Sequence, residues 1–210
     1  MGKRVVVIEH LEELYSVWLE IEYRESSKIV GQENIIFTNV KDNTLKDKLK
    51  RYGSVKCESI VDIYEEQFEK TIVLDPKCDE PLKPEDFDFK GDLAIVVGGI
   101  LGDHPPKGRT WNLLTSRMPN AIARSLGKYQ YPIYCAVYVA WEVAKGKRLD
   151  EIPVVYGVEL EVKRGKDLIH TIYLPYAYPI VNGEAYIPKS LKDYLARKIV
   201  YYEITLLSEG

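Results

Sequence analysis

Cysteine, histidine and excess positive charge are all scarce in this chain of 210 residues. The three cysteines, Cys57, Cys78 and Cys135, are odd in number, widely spaced and include no CxxC pair. That argues against a disulfide framework or a zinc site and fits a reducing cytosol. The three histidines, His10, His104 and His170, form no HExxH pattern, so the residues predict no metal. Lys and Arg total 29 against 32 Asp and Glu, a net charge of −3. A protein that held nucleic acid mainly through phosphate contacts would be basic overall. An acidic one better suits a basic partner, such as an arginine-rich protein segment. Long apolar runs are missing too. The longest, around Pro132–Ala144, is well short of the roughly 20 residues that span a bilayer. Val5–Ile8 is too short for a signal-peptide core, so the sequence predicts no membrane association.

What is present is ordinary globular composition, 46% hydrophobic and 29% charged. The length of 210 residues is enough for one good core, or one core plus a small appendage. Short apolar runs at Val5–Ile8, Ile35–Thr38, Thr71–Leu74 and Leu93–Val97 read as buried strands, and Ile122–Leu126 as another ended by Gly127. Helical spacing runs from Leu11 through Leu14, Tyr15, Trp18 and Ile21 to a stop at Gly31. Further helices are predicted over Thr44–Arg51, Ile60–Phe68 and Pro132–Lys145, with a strand end at Val55–Cys57. Pro81–Phe89 reads as a surface loop with a helical turn. Alternating strands and helices predict an α/β fold, a parallel sheet with helices on both faces. The pattern changes near Ile152-Pro153. A hairpin over Val154–Lys163 and Asp167–Leu174, a helix at Leu191–Lys198 and a strand at Ile199–Leu207 make a small β-rich C-terminal extension. The organisation expected is therefore a main domain over 1–152 and an extension over 153–210.

The most apolar strand runs straight into Gly98-Gly99-Ile100-Leu101-Gly102-Asp103-His104-Pro105-Pro106. In open α/β sheets, ligands bind beyond the carboxyl ends of strands. Glycines there let backbone amides and carbonyls approach a ligand, and the two prolines stiffen the exit. No Gly-Lys-Ser/Thr follows, and the glycine spacing is not that of a dinucleotide fingerprint, so phosphate is not the indicated ligand. By these residues alone, a structural tight turn accounts for the loop equally well.

Gly98–Thr110 (GGILGDHPPKGRT) resembles the signature of a small SPOUT-class methyltransferase family of archaea and eukaryotes. Other segments resemble that family in the same order: Val7–Glu13 with Trp18 and Glu22-Tyr23, Leu74-Asp75-Pro76, Leu126-Gly127 with Tyr129–Pro132, Tyr173–Tyr176, Gly183-Glu184 and Ile187-Pro188. The similarity covers nearly the whole chain. One departure is clear: family members often read Pro-Met-Gln-Met after the glycine, where this chain has Lys128-Tyr129-Gln130-Tyr131. The family's best-known activity is arginine methylation of a small-subunit ribosomal protein, and members are also described as predicted RNA methyltransferases. The resemblance implies S-adenosyl-L-methionine as cofactor and a C-terminal-side trefoil knot. It also implies three loops that hold the cofactor: Leu74, Asp75 and Pro76; Gly98, Gly99, Ile100, Leu101, Gly102 and Asp103; and Leu126, Gly127, Tyr129, Gln130, Tyr131 and Ile133. It implies a basic ribosomal protein or, alternatively, RNA as substrate. Pairing would run through the knot helices into a homodimer, or the C-terminal extension would cover that surface and leave a monomer. A non-catalytic ribosome-binding module is the third reading.

An arginine acceptor needs carboxylates to orient its charged guanidinium. The candidates are Asp103, Glu9, Glu12 and Glu22. Asp103 either faces the reaction or caps its own loop. Glu9 either lies at the ligand end of the first strand or is a solvated charge at a helix start, and Glu12 and Glu13 sit in the same turn. Arg109 either binds the cofactor's carboxylate or pairs with Asp103. His10 and His104 read as structural, Cys135 and Trp18 as core, and Tyr173, Tyr176 and Tyr178 as a packed aromatic cluster. The basic runs Lys46–Arg51 and Lys145–Arg148 are the residues that would favour RNA.

Overall fold

A computed structural model describes residues 2–102, 107–164 and 168–197. In chain order the elements are β1 (Arg4–His10), α1 (Val17–Val30), β2 (Ile35–Thr38), α2 (Asn43–Leu49), β3 (Ser54–Val55) and α3 (Ile60–Gln67). There follow β4 (Lys70–Leu74), β5 (Leu93–Gly99), α4 (Arg109–Leu113), β6 (Ile122–Arg124) and α5 (Ile133–Ala144). The chain then forms β7 (Val154–Arg164), β8 (Leu168–Val181) and β9 (Glu184–Ala185), and residues 189–197 are helical. The predicted strand at Ile199–Leu207 lies outside the described residues.

β1 to β6 form one sheet in the order β3-β2-β1-β5-β4-β6, with every pairing parallel. The unbroken Val/Ile runs suit strands buried on both faces. Alternate residues of β1 feed two cores. Val6 and Ile8 pack with Leu19 and Tyr23 of α1 and Val137 of α5, while Val5 and Val7 pack with Ile60 and Tyr64 of α3 and with Leu114 and Met118. Each such fully buried side chain stabilises the fold by roughly 1.5–3 kcal/mol relative to exposure. The predicted α/β sheet with both faces covered is what the chain forms.

Some segments differ from expectation for physical reasons. α1 begins at Val17 because Ser16 caps it, its Oγ accepting from the Leu19 N–H at 3.1 Å. Leu11–Tyr15 therefore precede the helix, and Leu14 is 81% exposed in spite of its helical spacing. β6 ends at Arg124, and Ser125 bridges to Pro81. Pro81–Phe89 does contain a helical turn, but it is no simple surface loop: Leu82 and Phe87 are buried, and Asp86 takes a bidentate ion pair from Arg124. At the other end, Gly31 closes α1 at φ 87°, a conformation glycine adopts without a Cβ penalty.

β7 and β8 form the predicted hairpin, with β9 added antiparallel. β8 runs on to Val181, beyond the expected Leu174. This small sheet and helical residues 189–197 pack on α1 and α5 through Ile21, Tyr134, Cys135, Leu174, Tyr178, Leu191 and Leu195. Cys135 is thus core, as expected, whereas Trp18 is only half-buried at the edge of that cluster. The tyrosine cluster is split: Tyr178 is buried, Tyr176 half-buried, and Tyr173 is 56% exposed.

Candidate active site

The carboxyl ends of β4 and β5, the chain after β6 and the start of α5 converge on one cavity of about 270 Å³. Leu74, Asp75, Pro76 and Lys77 line it from the end of β4. Val97, Gly98, Ile100 and Gly102 line it from β5 and its loop, and Lys107, Gly108, Arg109 and Thr110 from the start of α4 and the two residues before it. Leu126, Lys128, Tyr129, Gln130, Tyr131, Ile133 and Ala136 close the far side. The three segments singled out in the sequence therefore meet at one place, at the ligand end of a parallel sheet.

Each segment is held by its own contacts. Asp75 is 1% exposed and accepts from the Lys77 N–H at 2.9 Å and from the Thr115 hydroxyl at 2.5 Å. Its carboxylate thereby shapes the turn after β4. Gly98 leaves the cavity floor low: a Cβ there would sit 3.2 Å from Ile100 Cδ1. Tyr129 stacks on Tyr156 of β7, with ring centroids 4.9 Å apart and planes at 20°. Burial pushes the Tyr131 phenol up to about 12. The C-terminal sheet clasps two of the segments. The Tyr176 hydroxyl donates to the Gly102 carbonyl at 2.7 Å, and the Ala177 N–H donates to the Gln130 carbonyl at 2.8 Å.

Gly99, Leu101 and Gly127 do not line this cavity. A Cβ on Gly99 would run into the Tyr23 hydroxyl and sit 2.6 Å from the Glu9 carbonyl oxygen, so Gly99 faces the packed interior between β1 and α1. Leu101 faces a neighbouring cavity. Gly127 turns the chain at φ 96°.

The carboxylates separate by environment. Glu9 does lie at the end of β1, but it is no solvated helix-start charge. It is 1% exposed and accepts from the Thr38 hydroxyl at 2.5 Å, the Ser59 hydroxyl at 2.6 Å and the Ile60 N–H at 3.0 Å. It anchors the start of α3 to the sheet and is turned away from the cavity. Glu12 Oε1 accepts from the Leu101 N–H at 2.8 Å and from Arg109 Nη2 at 3.0 Å, and the same Nη2 donates to the Leu101 carbonyl at 2.7 Å. Glu12 and Arg109 thus clamp the start of the glycine-rich loop, with Arg109 also lining the cavity. Asp103, His104, Pro105 and Pro106 lie outside the described residues. His10 shares a 2.9 Å hydrogen bond with the Tyr23 hydroxyl, and burial lowers its imidazole below the ordinary value.

Glu22 is 2% exposed on α1. Its Oε1 accepts from Trp18 Nε1 at 2.9 Å and its Oε2 from the Tyr134 N–H at 3.2 Å. Burial pushes its carboxyl up to about 7 in spite of those donors. Sequence reasoning missed Lys77, Val97, Lys107, Gly108, Thr110, Lys128 and Ala136 as cavity residues and Tyr176 as a clasp. Lys77 and Lys128 directly follow predicted loop residues Pro76 and Gly127, and that proximity was the signal available. Tyr176 reaches across 74 positions to Gly102, and no local pattern announces that.

Residues 5–202 match the family model for SFM1-like protein arginine N-methyltransferases. The chain belongs to that family. Among similar proteins, the protein arginine N-methyltransferase SFM1 of Saccharomyces cerevisiae is 27% identical over 208 residues, covering 91% of this chain and 93% of its own. The crystal structure of the yeast arginine methyltransferase SFM1 complexed with SAM superposes with a TM-score of 0.80 at 26% identity, covering 94% of this chain and 92% of that one. The dual-specific Trm10 of Thermococcus kodakaraensis shares the fold, with a TM-score of 0.54 at 16% identity over 70% of this chain and 96% of its own. Membership of the SFM1-like family thus joins a SPOUT-type fold to the three-loop cavity.

Proposed function

We propose that this chain transfers a methyl group from S-adenosyl-L-methionine to an arginine of a basic ribosomal protein. The observation that carries the reading is the single cavity at the ends of β4, β5 and β6, closed by the three segments that resemble the family's cofactor loops. The residues present fit that cofactor. At about 270 Å³ the cavity is close to the lower end of the range for small-molecule sites. Leu74, Val97, Leu126, Ile133 and Ala136 offer an apolar bed for an adenine, and the backbone around Gly98 and Gln130 offers edge hydrogen bonds. Arg109, with Lys107 or Lys128, answers an amino-acid carboxylate. Bound there, the cofactor supplies an electrophilic methyl on a sulfonium. The protein's part is to position the acceptor nitrogen and exclude water.

The cofactor set under this reading is Leu74, Pro76, Gly98, Ile100, Gly102, Leu126, Tyr129, Gln130, Tyr131 and Ile133, with Arg109 toward its carboxylate. Asp75, Glu12 and Arg109 hold its loops in shape. Residues 1–152 are the methyltransferase domain with a trefoil knot, and 153–210 are the extension. The extension packs on α5, the helix that pairs subunits in SPOUT dimers, and that supports a monomer. The basic runs give RNA little support. Lys50 pairs with Asp47, Lys145 and Lys147 with Glu142, and Arg148 with Asp150. The acidic balance points to a basic protein substrate in the cytoplasm. Titration calorimetry with S-adenosylhomocysteine tests the site: wild type binds it, and Gly98→Leu, which fills the cavity floor, does not. Equal binding by both proteins would refute the placement.

A further inference from the structure

The hairpin of β7 and β8 has two unlike faces. Val155, Val158, Leu160, Ile172 and Leu174 pack inward on the cluster around Ile21, Tyr134 and Cys135. Tyr156, Glu159, Glu161 and Tyr173 are exposed on the outer face. The register accounts for the arrangement. Between the pairs Tyr156–Ala177 and Val158–Leu174, β7 has one residue, Gly157, where β8 has two, Pro175 and Tyr176. Such a bulge twists the ladder locally, and Gly157 takes φ 72° there. The glycine also makes room for a ring: a Cβ on it would sit 2.5 Å from the Tyr173 hydroxyl oxygen and 3.0 Å from Tyr173 Cε2. Tyr173 thus lies across Gly157, beside Tyr156. Tyr156 in turn stacks on Tyr129, a wall of the cavity at the end of the parallel sheet.

Three tyrosines therefore form a row that leads from the cavity wall out along the hairpin. Glu159 stands opposite Tyr173 in the ladder, and Glu161 is two residues further on, on the same face. Neither glutamate has an ion-pair partner among the described residues.

We propose that this outer face docks a basic segment of the protein substrate, adjacent to the arginine that is methylated. The proposal rests on reading the chain as a protein-arginine methyltransferase. Charge decides the occupant. Ring faces attract cations through their quadrupole and carboxylates through their charge, and here the two alternate. Lys128 already places its ammonium 5.1 Å from the centroid of the Tyr129 ring, so the row holds a cation from the chain itself. Single-stranded nucleic acid also stacks on aromatic rings, but its phosphates would face Glu159 and Glu161. Spacing decides the length. From Tyr156 to Glu161 the strand advances five residues, roughly 17 Å. The two glutamates are two positions apart, so an extended segment meets both with basic residues at alternate positions. Beyond Glu161 the sequence turns basic at Lys163, Arg164 and Lys166, which ends the acidic strip.

The test uses the full chain with S-adenosylhomocysteine bound and three fluorescent peptides. Each carries one arginine in a Gly/Ser background. The positions about four and six residues to either side of it hold lysine, glutamine or glutamate. By anisotropy at low salt, wild type should bind the lysine peptide about tenfold more tightly than the glutamine peptide, and the gap should narrow as salt rises. Glu159→Gln/Glu161→Gln should close most of that gap while S-adenosylhomocysteine affinity and glutamine-peptide affinity stay as in wild type. Glu159→Lys/Glu161→Lys should turn the preference to the glutamate peptide, a reversal that a loss of structure does not produce. Tyr173→Ala should weaken the lysine peptide about threefold. Equal affinity of wild type for the three peptides, or an unchanged preference after charge reversal, would overturn the inference. So would tighter binding of a single-stranded oligonucleotide than of the lysine peptide by wild type. The expected preferences with no methyl transferred to arginine, in the peptides or in a ribosomal extract, would instead overturn the protein-arginine reading and leave the docking face standing.

Discussion

Replacing Glu9 by alanine separates a structural carboxylate from a chemical one. The side chain is 1% exposed, and its two oxygens receive three donors: the Thr38 hydroxyl, the Ser59 hydroxyl and the Ile60 N–H. A hydrogen bond to a charged group contributes about 1.5–3 kcal/mol, and a buried donor left alone costs about 1–3 kcal/mol. The two hydroxyls can turn elsewhere: Thr38 already lies 3.5 Å from the Ile8 carbonyl, and the half-buried Ser59, whose oxygen accepts from the Val61 N–H, can donate to water. The Ile60 N–H cannot turn. Glu9→Ala should therefore lose about 3–5 kcal/mol of stability. For a chain of this size that lowers Tm by roughly 10 °C or more. Urea unfolding followed by circular dichroism gives the first number. Calorimetry well below the midpoint gives S-adenosylhomocysteine affinity, which should not change. A loss under about 1 kcal/mol, or a hundredfold fall in kcat at unchanged stability, would sink the structural assignment and return Glu9 to the reaction.

Other substitutions probe neighbouring contacts. Gly99→Ala pushes a methyl into the Tyr23 hydroxyl and the Glu9 carbonyl and should cost about 2–3 kcal/mol of stability by thermal melting. Gly98→Ala, with 3.2 Å to a flexible Ile100 terminus, should fold normally. Tyr176→Phe removes the hydrogen bond to the Gly102 carbonyl, worth about 1 kcal/mol, and should weaken S-adenosylhomocysteine binding about fivefold in calorimetry. Glu22 titrates at about 7 when folded, against 4.5 for an exposed glutamate. For such a raised acid the stabilising contribution is whole below pH 4.5 and is lost as pH rises through 7. Unfolding free energies from urea titrations at pH 5 and pH 8 should therefore differ by about 2.5 kcal/mol more in wild type than in Glu22→Gln.

The centre of the sheet was legible because β1 and β5 are unbroken apolar runs, which suit burial on both faces. The hairpin of β7 and β8 was legible for a similar reason, two strand-like runs about a short polar turn. α1 was placed too early because Leu11 and Leu14 happen to fall at helical spacing, while the Ser16 cap that sets its start is a single side-chain contact. Of the three cavity segments, the glycine-rich loop after β5 stood out by its glycine and proline punctuation at a strand end, and the other two were placed by the resemblance to the family. The division of labour among the carboxylates was not legible. Glu9, Glu12 and Glu22 lie within fourteen positions of one another, yet one anchors α3, one clamps Arg109 and one lies buried at the start of α5. Those partners are 51 to 112 positions away, and a short-range pattern carries no trace of them.

The decisive assay incubates the protein with methyl-labelled S-adenosyl-L-methionine and a ribosomal extract, then treats the labelled product separately with protease and ribonuclease. A protein-arginine methyltransferase gives label that is lost to protease, survives ribonuclease and is recovered as methylarginine after hydrolysis. Label lost to ribonuclease, or recovered on any residue other than arginine, would overturn that assignment.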